Sequence, residues 1–408
     1  MSTTVLSPTP PTVTTRRARA AVGVLFFTNG ALFANLLPRY PQIKADLDLT
    51  NAAFGAAVAA YPLGALVAGL SAGMLIRRFR SSRVAIGATV LAAMGFVVAG
   101  VAPIWAALAA GLCLAGAMDA ITDVAQNSHG LRVQRLYGKS ILNSFHAIWS
   151  MGAVLGGIMG AGLATLGVST ALHMVISAVV FSASALGSYR WLLAGPEPKE
   201  VPPEPGTTGH EPGAPRTLPL GRYGIILALV VIAASGAVVE DAGSSWAAIY
   251  LSGSLQASTF VASLGFIALQ GLQFVGRMLG DPMVDRFGQR AVARAGGIVV
   301  LIGMGAALAA PGIIGSIIGF GLAGLGIATL IPAAMHGADE IPGLAPGTGL
   351  TIVGWLLRVG FLVSPPLVGA VADATSLRVG LLLVPLAGLL VILFAGVLST
   401  RRVGALQH

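Results

Sequence analysis

Twelve apolar runs dominate this chain of 408 residues and constrain its fold more than any motif does. They lie at roughly 19–37, 52–75, 84–101, 105–128, 141–163, 170–193, 223–250, 259–279, 291–309, 312–334, 348–371 and 379–399. A helix of about 20 apolar residues crosses the hydrocarbon core of a bilayer. Inside that core each backbone N–H and C=O must find a partner, which favours helices that pair their own. Hydrophobic residues make up 55% of the chain and charged residues 10%, against about 25% charged in a soluble domain. The sequence therefore predicts an all-α polytopic membrane protein. The net charge of +9 would suit nucleic acid. The basic residues fall mostly between spans, however, so the expected partner is a lipid bilayer and not a nucleic acid.

Basic residues also set the expected orientation. With the N-terminus inside, the cytosolic loops receive clusters such as Arg77, Arg78, Arg80 and Arg83, while the outside receives Arg39, Lys44 and Arg378. Both termini are then cytosolic, in a multi-pass protein of the plasma (inner) membrane. The first run lacks a small-residue cleavage site and many spans follow, so it reads as a first span and not a signal peptide. Between spans 6 and 7 the composition turns to Pro, Gly and Glu, which reads as a flexible linker. The expected organisation is a disordered N-tail at 1–18, a six-helix bundle at 19–193 and a Pro-rich linker at 194–220. A second bundle at 221–400 and a C-tail at 401–408 complete it.

The two bundles repeat at one offset of 208 residues. Arg78–Phe79 falls on Arg286–Phe287, the run Gly111 to Gly116 on Gly319 to Gly324, and Gly152 on Gly360. Paired repeats of this kind build transporters whose site lies between the halves. The expectation is twelve transmembrane helices in two pseudo-symmetric six-helix halves.

Charges inside the spans are not repeated. Asp119 and Asp123 align with Ile327 and Ile331, Glu240 with Leu32, and Arg358 with Ser150. Fold symmetry does not require them. Asp119, Asp123 and Asn127 fall at i, i+4 and i+8, on one face of span 4. A carboxylate at mid-membrane costs on the order of 3 kcal/mol, so this face must meet water or partners. Low dielectric penalises the ionised carboxyl, which suits Asp123 to carry a proton, assisted by Asp119, Glu240 and His146. The blander alternative is a structural acid paired with His146. His146 itself either relays protons or is fixed in helix packing. Arg358 either binds an anionic substrate or anchors an ion pair. Asp241, next to Glu240, is expected in solvent near the outer end of its span. Candidate substrate ligands are Asn29, Asn35, Asn127, Trp149, Trp246, Gln270, Gln273, Trp355 and Arg358. For Trp246 the other reading is an interfacial anchor, and for the two glutamines, hydrogen bonds between helices.

With these motifs the chain resembles the major facilitator superfamily over nearly its whole length. The superfamily's loop signature, G-x-L-x-D-R-x-G-R, is similar to Asp281-Pro-Met-Val-Asp285-Arg286-Phe-Gly288-Gln-Arg290. The first-half copy, Gly73-Met-Leu-Ile-Arg77-Arg78-Phe-Arg80, has arginine at the acid and at the second glycine. The resemblance implies a cytosolic gate of Arg77, Arg78, Asp281, Asp285 and Arg286. Four stretches resemble the fucose-permease-like branch. They are Asp123-Val-Ala-Gln-Asn127, His146-Ala-Ile-Trp-Ser150-Met-Gly152, Glu240 with Trp246-Ala-Ala-Ile-Tyr250, and Gly360-Phe-Leu-Val-Ser-Pro365-Pro366-Leu-Val-Gly369. Span 1 has Asn29 and Asn35 but no acid, so that branch's sugar recognition does not carry over.

The functional expectation is a monomeric secondary active transporter for a small-molecule substrate, driven by protons. One alternative is proton-driven efflux of drugs or cations. A third, of another class, is a non-transporting receptor or scaffold. No Walker-type phosphate loop and no Cys/His spacing for a metal occurs, and Cys113 is the single cysteine. No enzymatic activity and no cofactor or metal beyond the proton gradient is expected.

Overall fold

The structure is a computed structural model, and it describes residues 12–137, 141–195, 220–341, 344 and 348–400. Among these, twelve helices are long and apolar enough to cross a membrane. In the first half they are α1 (Val13–Asp46), α2 (Asn51–Gly69), α3 (Ser81–Gly100), α4 (Trp105–Tyr137), α5 (Ser144–Thr165) and α6 (Thr170–Trp191). In the second they are α7 (Arg222–Ser254), α8 (Thr259–Phe287), α9 (Gln289–Ala309), α10 (Ile313–Asp339), α11 (Thr348–Ala374) and α12 (Leu377–Val397). Most of the expected tails and linker lies outside the described residues.

Hydroxyl side chains start several helices by accepting from the first-turn amides: Thr50 from Ala53, Ser169 from Leu172 and Ser376 from Val379. Thr12 does the same for Thr15, so helix already covers residues 13–18, which were expected in the N-tail. The first span also runs past its expected end at residue 37, through Pro38 and Pro41. A 3-10 turn at Leu37–Arg39 and a helix at Tyr40–Asp46 continue it. Each proline sits in the first turn of its segment, where a missing N–H costs nothing.

The sequence repeat reappears in the helix boundaries. α2 and α8 start at Asn51 and Thr259, α3 and α9 at Ser81 and Gln289, and α4 and α10 at Trp105 and Ile313. Each pair is 208 residues apart. Packing repeats as well: Gly116 of α4 rests on the Tyr61 carbonyl of α2, and Gly324 of α10 rests on the Leu269 carbonyl of α8. A Cβ at either glycine would enter backbone space, so only glycine lets these helices approach so closely.

The halves meet along α2 with α11 and α5 with α8. At the end away from the basic loops, the far end, the seam is tight. Gly55 lies on the Pro365 carbonyl, and Gly369 on the Asn51 carbonyl. The Asp373 carboxylate accepts from Asn51 N at 2.9 Å and Ala52 N at 2.8 Å, joining the end of α11 to the start of α2. Phe54 of α2 packs edge-on against Trp246 of α7 at 5.7 Å.

Candidate functional site

Asp119 is tied to two other helices of its half. It accepts a hydrogen bond from Asn29 Nδ2 at 2.5 Å, and Asn29 Oδ1 accepts from Trp149 Nε1 at 2.7 Å. The Tyr61 hydroxyl is within hydrogen-bonding reach of the same carboxylate. α1, α4 and α5 are thus pinned by one polar chain. Asn29 and Trp149 serve Asp119 in this conformation, so their polar atoms are committed to protein groups.

One turn further along α4, Asp123 is exposed. Asn127 Nδ2 donates to its carboxylate at 2.9 Å and to its backbone carbonyl at 2.8 Å. It faces His146 of α5 and Arg358 of α11. His146 in turn senses Arg277 of α8. Arg277 donates to Ser150 Oγ of α5 at 3.4 Å and lies 3.9 Å from Glu240 of α7. Gln273 Nε2 completes the group by donating to Glu240 at 3.0 Å. A line of polar groups therefore runs from Asp123 in one half to Glu240 in the other, crossing at Ser150–Arg277.

That crossing has a counterpart. A Cβ on Gly69 of α2 would lie 3.5 Å from Arg358 Nη1 of α11. Residue 69 is the repeat partner of 277, and 150 the partner of 358. Both seams thus place an arginine on a small residue at the equivalent level. The arginine comes from α8 at one seam and from α11 at the other, so the second half supplies both.

Asp123, His146, Arg358 and Trp355 are exposed, while the far end is sealed by the contacts of Asp373, Gly55 and Trp246. The cleft between the halves therefore opens toward the end carrying the basic loops.

Other expected ligands lie elsewhere. Asn35 is fully buried within the first half, where its Oδ1 pairs with His173 Nε2 at 2.8 Å and accepts from Ser177 at 3.1 Å. Arg39, expected at the outer surface, is only 2% exposed. It donates to His173 Nδ1 at 3.0 Å, Gln42 Oε1 at 2.9 Å and the Val168 carbonyl at 2.7 Å. These acceptors replace the water it loses. Trp246 is fully buried in the far-end seal and so is closed to solutes here. Gln270 is buried with neither amide atom bonded to a described residue. Asp241, expected in solvent, is buried and accepts from Ser245 at 3.2 Å. Arg77, Arg78, Asp281, Asp285 and Arg286 are exposed, with Arg78 and Arg286 stacked on Phe79 and Phe287.

Sequence reasoning missed Arg277, Tyr61 and Ser150. Arg277 carried a signal, a lone cation in an apolar run, but it sat close to the run's apparent end at 279. The helix continues to Phe287, which moves Arg277 inward.

The model of the Major Facilitator Superfamily matches residues 22–269. Membrane protein MosC of Rhizobium meliloti is 30% identical over 373 residues, covering 91% of this chain and 88% of that protein. The uncharacterized transporter y4wD of Sinorhizobium fredii is 28% identical over 374 residues, covering 92% and 96%. Among solved structures, the nucleoside transporter NupG aligns at a TM-score of 0.70 with 14% identity, over 93% of this chain and 98% of that one. A D-xylose–proton symporter aligns at 0.66 with 18% identity, over 93% and 96%. At these identities the structural likeness speaks to the fold.

Proposed function

The chain belongs to the major facilitator superfamily and is a secondary transporter and not an enzyme; on that premise we propose that it moves a small organic solute across the plasma (inner) membrane, coupled to protons through Asp123, Asp119, Glu240 and His146. It works as a monomer with both termini in the cytosol, by rocking of the two halves about the cleft. The stretch Asp123 to Asn127 and the His146 to Gly152 motif support kinship with the fucose-permease-like branch.

The observation that carries the reading is the polar line from Asp123 to Glu240 across the Ser150–Arg277 contact. An ionised Asp123 holds His146 and Arg358 electrostatically and keeps water in the cleft. Protonation removes its charge, and with it most of the cost of closing low-dielectric walls around the site. His146 lies where a proton moves between Asp123 and the second half. Asp119, already bound to Asn29, holds the helices in register while Asp123 cycles.

The test is transport in proteoliposomes with an internal pH probe. Asp123→Asn is expected to abolish gradient-driven accumulation while leaving substrate exchange. Accumulation at the wild-type rate in that variant would sink the coupling role. Two solute panels separate import from export. Luminal acidification on adding a neutral sugar outside means symport. Proton movement opposite to an added lipophilic cation means antiport. The second reading draws support from an exposed aromatic ring, Trp355, and an exposed carboxylate, Asp123, groups that suit cationic amphipathic solutes.

A further inference from the structure

A groove of about 560 Å3 lies between α1 and α5 near the basic end. Arg16, Arg19 and Tyr137 form its mouth, and Val24, Phe27 and Ile148 line its floor. It is separate from the cleft between the halves. At 100° per residue, Val24 and Phe27 lie roughly 140–160° round α1 from Asn29, the residue that bonds Asp119. The groove therefore looks out from the bundle, where lipid would lie.

Its chemistry changes along its length. At the mouth, Arg19 is held in place: Nη1 donates to the Tyr137 hydroxyl at 3.0 Å, and the guanidinium lies 4.9 Å over the Tyr137 ring. Arg16, one turn earlier, is exposed. The floor is apolar, and Gly23 keeps it open beside Ile148. From Arg16 to Phe27 the helix advances about 16 Å, close to the thickness of one hydrocarbon leaflet. The mouth thus falls at headgroup level and the floor at acyl-chain level.

We propose that this groove seats one anionic phospholipid of the leaflet on the basic side. Arg16 and Arg19 hold the headgroup phosphate, and an acyl chain lies on Val24, Phe27 and Ile148. Basic pockets between helices at the cytosolic face are suited to acidic headgroups. A free phosphate would leave the apolar floor uncovered, and a neutral lipid would leave two arginines without a counter-charge.

The full-length protein in detergent tests this. It is titrated with phosphatidylglycerol, with phosphatidylcholine of the same chains, and with glycerol phosphate alone. Native mass spectrometry reads retained lipid, and the thermal midpoint reads protection. The expected result is one phosphatidylglycerol retained per chain, with a raised midpoint and no such effect from the other two. Arg16→Gln should weaken retention about fivefold, the share of one basic side chain at a lipid surface. Val24→Trp should fill the floor and abolish it. Both positions are on the groove surface, and the midpoint without lipid reports whether each variant is folded. Equal retention of phosphatidylcholine overturns the proposal. So does equal protection by glycerol phosphate, or unchanged retention in both folded variants.

Discussion

Arg80 and Gly288 occupy the same place in the two halves and hold nearly the same backbone, φ 74° and ψ 146° in one, φ 83° and ψ 154° in the other. Each ends one helix and starts the next. The geometry belongs to a region that glycine alone enters without strain, and a side chain there costs about 1–3 kcal/mol. The turn is a property of the repeat, and the first half keeps it with an arginine.

Replacing that arginine should therefore stabilise the protein. Arg80→Gly is expected to add about 1 kcal/mol, after the entropy glycine adds to the unfolded chain. Gly288→Ala should go the other way, since its Cβ would also lie 3.1 Å from the Thr400 carbonyl. Thermal midpoints of the two variants in detergent should move in opposite directions, and a shared direction would refute the account.

The far-end clasp can be released with one substitution. Asp373→Asn removes the charge from the amides of Asn51 and Ala52, an exposed interaction of about 1 kcal/mol. Opening of the far end should become about fivefold more frequent. Phe54→Cys in a Cys113→Ser background reports it, because Phe54 is fully buried in the seal. An unchanged rate of thiol modification from that side would count against the clasp.

Arg277 and Glu240 should be energetically linked. The pair is partly exposed and 3.9 Å apart, so its stabilisation is modest, about 1 kcal/mol. Arg277→Gln leaves Glu240 with Gln273 as its remaining partner at 3.0 Å. Adding Glu240→Gln should then restore most of the lost stability, as a double-mutant cycle would show. Strict additivity would mean that the two side chains do not interact.

His173 is expected to matter for folding and not for substrate. His173→Ala takes an acceptor from the buried Arg39 and a partner from Asn35. A buried cation left short of partners costs about 3 kcal/mol. Asn35→Ala should likewise lower the midpoint while leaving the substrate KM of the folded fraction unchanged. A raised KM would return Asn35 to the list of substrate ligands.

The twelve spans and the repeat were legible in the sequence because hydropathy and glycine spacing are local signals. Helix ends were not. Pro38 and Pro41 read as a stop, yet each falls in a first turn, and the helix resumes. Arg39 read as an outer charge because its acceptors, His173 and the Val168 carbonyl, lie about 130 residues along the chain. Polar residues in spans were legible as unusual but not as to purpose. Asn29, Asn35 and Gln273 differ only in what stands opposite them. For Asn29 that is Asp119, for Asn35 His173 and for Gln273 Glu240. The alignment of Arg277 with Gly69, and of Arg358 with Ser150, lay in the repeat. Only the packing showed the contacts, which cross between the aligned pairs: Arg277 meets Ser150, and Arg358 lies against Gly69.

Much of the far seam is main chain against main chain: Gly55 on the Pro365 carbonyl, Gly369 on the Asn51 carbonyl. At these two points no side chain interlocks the halves, so the surfaces can part and meet again in one register. Bulk added at either glycine would act as a wedge, holding the molecule at one stage of its cycle while each half stayed intact.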